Sequence, residues 1–116
     1  MNKYFVVFKI PATSMTDWVK NTKPEVMKEQ TGKLMKDTET WMAAHTKDIV
    51  ERGMPLGKTK TLTDKGIADS KNDLSYYMIV QAESHDVAAK LLADHPFVLT
   101  IPTSSIDVME SPRMEM

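Results

Sequence analysis

Three histidines, His45, His85 and His95, carry most of the chemistry this sequence could do. His45 lies four residues after Trp41 and four before Ile49, so on a helix the three share one face. An imidazole held against an indole and aliphatic groups can have a displaced pKa and act as a general base. The competing reading is a packed ring bonded to a carbonyl, or one at the margin of the apolar stripe. His95 stands between Asp94 and Pro96. It reads either as a group at the mouth of a pocket or as a cation favourably placed at a helix C-terminus. His85 follows Ser84, a helix cap, and reads as a surface residue. His45 and His95 are therefore the candidate acid–base residues.

No two histidines stand at helical ligand spacing, and there is no cysteine, so no metal site is expected. The glycines between Gly53 and Gly57 and the Lys65-Gly66 pair match no phosphate-binding loop. Ser14, Ser84, Ser104 and Ser105 lie in no nucleophile motif, and no cofactor is expected. Trp18, Trp41, Tyr4, Tyr76 and Tyr77 could line an apolar pocket for a small molecule. They serve equally as core and interface aromatics. The candidate ligand-binding set is Trp41, His45, Tyr77 and His95.

These side chains need elements to position them. KYFVVFKI, Lys3 to Ile10, reads as a strand with Tyr4, Val6, Phe8 and Ile10 on one face and Phe5 and Val7 on the other. It stops at Pro11. Ser14 with Asp17 predicts the start of a short helical turn, and Thr22, Pro24 and Glu25 predict a second start. Met27, Leu34, Met35, Trp41, Met42 and Ile49 recur at helical spacing up to Arg52, before Gly53. A continuous helix of that extent would be about 43 Å long, and Gly32 is the expected kink or break.

LGKTKTLT, Leu56 to Thr63, reads as an exposed edge strand, and TDKGIADSKND as a polar loop. LSYYMIVQAE, Leu74 to Glu83, is a second strand apolar on both faces, with Tyr77 and Ile79 opposite Leu74, Tyr76, Met78, Val80 and Ala82. Ser84 caps a helix that carries Val87, Ala88, Leu91 and Leu92 and ends at His95-Pro96. A loop with Pro102 leads to a last strand, SSIDVME.

The order is β-α-β-β-α-β, an α+β ferredoxin-like arrangement with an antiparallel sheet and both helices on one face. Phe5, Val7, Tyr77 and Ile79 then occupy the face without helices, where large apolar groups make a sticky surface. A second copy of the chain, related by a two-fold axis, is the economical cover. Two such sheets facing each other form a dimeric α/β barrel. Residues 1–110 are read as one domain and 111–116 as a frayed tail.

YFVVF, WMAAHTKDIVERGMPLG, SYYMIVQAESHDVAAKLLADHPF and SSIDVME together resemble the YCII-related family, small bacterial proteins of the dimeric α/β-barrel class. The resemblance covers most of the chain and implies a homodimer. Some members carry a His early in the long helix, paired with an Asp; this chain has Thr, Lys and Glu there. Their Asp-Pro-aromatic motif is replaced by His95-Pro96-Phe97, and the DGPF stretch of another branch is missing.

Composition narrows the classes further. A net charge of −1, with lysines spread along the chain, argues against nucleic acid and gives no reason for a membrane surface. The apolar run near the N-terminus is too short for a signal peptide, so the cytoplasm is the expected location. The ten methionines read as gap-fillers of a core. The leading expectation is a homodimer that binds a small organic molecule between sheet and long helix. The rivals are a cofactor-free enzyme with a His acid or base, and an interaction module without pocket chemistry.

Overall fold

The computed structural model describes residues 1–111, so the frayed tail expected at 111–116 falls outside the described residues except for Ser111. The chain runs β1 (Asn2–Lys9), α1 (Ala12–Asn21), α2 (Pro24–Ala44), a 3₁₀ turn (Thr46–Asp48), β2 (Ile49–Glu51), β3 (Thr59–Thr63), β4 (Gly66–Ser70), β5 (Leu74–Ala82), α3 (His85–Leu92), α4 (Pro96–Thr100) and β6 (Ser105–Glu110). Four strands form an antiparallel sheet in the order β2-β5-β1-β6. That is the ferredoxin-like order, with the two apolar strands β1 and β5 at its centre.

The alternation in β1 decides where the core lies. Tyr4, Val6 and Phe8 are buried with Met78, Val80 and Ala82 of β5, and α2, α3 and α4 close over them through Trp41, Met42, Ala88, Leu92 and Phe97. On the other face, Phe5 pairs with Ile79 and Met109, and Val7 with Tyr77 and Asp107. Phe5 is 37% exposed and stacks on Tyr77 at 5.7 Å, while Val7 is buried between its cross-strand neighbours. Helices thus cover one face and leave the other bare. The molecule is a slab of 49 × 45 × 19 Å, the thickness of one sheet and one helical layer.

Several boundaries differ from those expected. The first helix begins at Ala12, with Pro11 as its cap, not at Ser14. The second is capped by Lys23 without a side-chain bond, so Thr22 plays no capping part, although Pro24 and Glu25 sit in the first turn. Gly32 does not break α2; its α-carbon faces open space, and the cost of glycine in a helix is too small to interrupt the hydrogen-bond ladder.

The long helix ends at Ala44 and not at Arg52. At this end the His45 N–H bonds to the Trp41 and Met42 carbonyls as C-cap, and the Thr46 hydroxyl lies within reach of the Met42 and Ala43 carbonyls, either of which can accept its proton. Ile49, expected on the helix, instead begins β2 and pairs with Val80. This three-residue strand, not Leu56–Thr63, supplies the edge of the main sheet. Thr59–Thr63 pairs only with Gly66–Ser70, a stretch expected to be loop, and the two make a separate hairpin. Its Asp64-Lys65 turn is closed where the Lys65 N–H donates to Thr63 Oγ1. Alternation in GIADS was too weak to mark a strand whose two faces are both wet.

Gly53 alone among the glycines is dictated by its surroundings. Its φ is +75°, and a Cβ there would lie 1.6 Å from the Tyr77 carbonyl oxygen. Only glycine lets the chain leaving β2 run this close to β5.

Candidate functional site

The segment after α3 builds the site. Ser84 caps α3 by accepting from the Val87 N–H at 3.2 Å. The helix stops at Leu92, and His95 does not end it but opens α4. As N-cap, His95 accepts the Phe97 N–H on Nδ1 at 3.0 Å. Pro96 follows in the first turn, where its missing N–H costs nothing. The expectation of a cationic ring at a helix C-terminus is therefore reversed: this ring serves a helix N-terminus, where a positive charge is unfavourable.

The capping bond has a chemical consequence. With Nδ1 accepting, the neutral ring must carry its proton on Nε2. His95 is 3% exposed, and Nε2 has no hydrogen-bond partner among the described residues. The ring is boxed by aromatics: Phe8 at 4.8 Å and Trp41 at 4.6 Å between ring centres, with Phe97 packed at 5.1 Å on Phe8. Burial drives the pKa down to about 4; the Asp94 carboxylate pulls it back partly, and His45 lowers it further. At neutral pH the group is a neutral N–H donor facing no acceptor.

Trp41 comes from the last turns of α2, and its indole N–H donates to Asp94 Oδ1 at 3.0 Å. His45 is the C-cap residue of the same helix, half-buried, with its ring 4.5 Å from that of Trp41. Its Nδ1 lies 3.9 Å from Asp48 Oδ2. It sits at the margin of the apolar stripe and not within it. Tyr76 joins through Phe8, at 5.6 Å; its hydroxyl donates to the Arg52 carbonyl, and burial raises its pKa.

Three of the four ligand-site residues expected from sequence, Trp41, His45 and His95, are thus brought together. Tyr77 is not: it stacks on Phe5 across the bare face of the sheet. Alternation along β5 puts Tyr76, not Tyr77, on the helix side, a parity legible in the sequence. Asp94 is legible beside His95, but its bond to Trp41 and the places of Phe8 and Phe97 are not, because no spacing ties them to Trp41 before the fold does.

The cluster is packed. A surface cavity of about 920 Å³ runs between the hairpin and the start of α1, past Lys58, Lys60, Lys71 and Leu74. A smaller one of about 420 Å³ lies between α3 and β6. Neither is lined by Trp41, His45 or His95. Among the described residues, no three His, Asp or Glu side chains gather as metal ligands, and no helix is long and apolar enough to cross a membrane. His85, expected at the surface, is half exposed but engaged: its Nε2 contacts the Val108 carbonyl at 2.7 Å and its ring stacks on Tyr4.

No protein-family model matches the chain, and no curated protein matches it. Among solved structures it is similar to a 5-chloro-2-hydroxyhydroquinone dehydrochlorinase from Burkholderia phenoliruptrix, determined in complex with 2,5-dihydroxybenzoquinone. The identity is 16%, 90% of each chain is covered, and the TM-score is 0.48.

Proposed function

We propose that the chain is a YCII-like homodimer, each protomer of which holds a small organic molecule at the Trp41–His45–His95 cluster. The observation that carries this reading is the His95 Nε2–H. A buried donor without a partner costs about 1–3 kcal/mol. It is tolerated where something else supplies the acceptor. The aromatic surroundings favour a largely apolar ligand with an acceptor oxygen or nitrogen directed at Nε2. Half-buried His45 is the side chain whose movement would admit it.

The same geometry separates binding from acid–base chemistry. His95 is a poor base, because its free lone pair on Nδ1 already accepts from Phe97. It is a poor acid, because with a pKa of about 4 the imidazolium is scarce at neutral pH. A cofactor-free enzyme on this scaffold would rely on His45, which has Asp48 within 3.9 Å.

A thermal-shift screen of small metabolites tests the binding. A ligand at a hundredfold excess over its Kd stabilises by about 2.7 kcal/mol. The wild type should respond, and His95→Asn should not, since asparagine keeps a capping acceptor but withdraws the deep donor. If a broad library leaves the wild type unmoved, the pocket reading loses its support.

A further inference from the structure

The β3–β4 hairpin is unaccounted for by its own chain. It shares no ladder with the main sheet, and an isolated two-stranded hairpin is marginal in water. Leu62 and Ile67 face each other across it, 70% and 68% exposed. The next rung on the same face is an ion pair, Lys60 to Asp69 at 2.6 Å. The opposite face carries the hydroxyls of Thr61 and Ser70, bonded to each other. One face of the hairpin is thus an apolar pair bordered by charges of both signs, the make-up of an interface core and its rim.

The root of the hairpin is continuous with the bare sheet face. The Tyr77 N–H donates to Met54, and the Leu56 N–H donates to Ser75. Met54 and Leu56 are 63% and 38% exposed, and their bonds to Tyr77 and Ser75 carry them along β5 beside the half-buried Tyr77 and Ile79. The chain exposes 8876 Å². A folded monomer of this mass is expected to expose about 6,400 Å². The flat slab of 49 × 45 × 19 Å thus has more surface than a rounded monomer, and its broad bare face is large enough to meet a second copy.

We infer that the hairpin is a dimer arm, which seats its Leu62–Ile67 pair on a second copy of this chain at the border of the sheet-to-sheet contact. The inference rests on the homodimer proposed above. It adds that the arm, and not the sheet alone, holds the partner.

Mixed dimers of ¹³C-labelled and unlabelled protein test it by isotope-filtered NOE spectroscopy. The expected result is intermolecular NOEs to the methyls of both Ile79 and the Leu62–Ile67 pair. NOEs at Ile79 with none at the hairpin would overturn the arm and keep the dimer; such a free arm would be open to another partner. A monomer would overturn both. As a second reading, Leu62→Asp with Ile67→Asp should weaken dimerisation by about a hundredfold while leaving the circular dichroism of the sheet and helices in place. Unchanged dimer affinity in that variant would contradict the arm.

Discussion

The Trp41 indole N–H donates to Asp94 Oδ1 at 3.0 Å, and this one bond ties the end of α2 to the turn that delivers His95. The two residues are 53 positions apart in the chain. Asp94→Ala should leave the indole donor unmatched and cost about 1–2 kcal/mol. Asp94→Asn, which keeps an acceptor, should cost less. Urea midpoints of the two variants check the order. Either substitution removes the charge that raises the His95 pKa, so that pKa should fall further in both.

Stability should weaken in mild acid through His95. Its folded pKa is about 4, below the ordinary value of 6.5. Between those values the unfolded chain binds a proton that the folded chain refuses, so stability rises with pH. The contribution is complete above about pH 6.5 and is lost progressively as pH falls toward 4. A shift of that size corresponds to a loss on the order of 3 kcal/mol. His95→Phe should flatten the difference between urea midpoints at pH 7 and pH 4.5; an unchanged difference would remove His95 as its source.

Two glycines should respond in opposite directions. Gly53→Ala drives a Cβ into the Tyr77 carbonyl at a positive φ and should destabilise by more than about 3 kcal/mol or prevent folding. Gly32→Ala meets open space in the middle of α2 and should stabilise by about 0.5–1 kcal/mol. Thermal unfolding of the pair tests whether β2 packs against β5 as described.

The bare sheet face should govern assembly. The wild type should sediment at twice the 13.1 kDa chain mass. Phe5→Lys, which places a charge among Tyr77, Ile79 and Met109, should shift it toward the monomer. A wild type that is monomeric at micromolar concentration would contradict the proposed pairing.

Period-two alternation in β1 and β5 was strong enough to give the central strands and both of their faces. Hence the ferredoxin-like order and the bare face are legible in the residues alone. The Ser84 cap was legible for the same local reason, an oxygen ahead of an apolar stripe. β2 was hidden because Ile49 also fits the helical repeat of Trp41 and His45, while the chain in fact leaves the helix after Ala44 through a 3₁₀ turn. Of the hairpin, β3 was legible as an exposed strand, and β4 was hidden because both of its faces meet water. At the site, His45 and Trp41 were visible as helical neighbours. The capping role of His95 was not, since His-Pro reads equally as the end of one helix and the start of the next. Tyr77 was misplaced because its aromatic type outweighed its parity along the strand.

The proposed site depends most directly on the state of one ring, that of His95. Long-range ¹H–¹⁵N spectra of the histidine imidazoles, followed from pH 7 to pH 4 with and without a ligand found by thermal shift, read it without substitution. The expected result is a His95 ring that stays neutral with its proton on Nε2 until the pH nears 4, and whose Nε2–H resonance moves when the ligand binds. A His95 ring that titrates near its ordinary value, carries its proton on Nδ1, or ignores every bound ligand would contradict it.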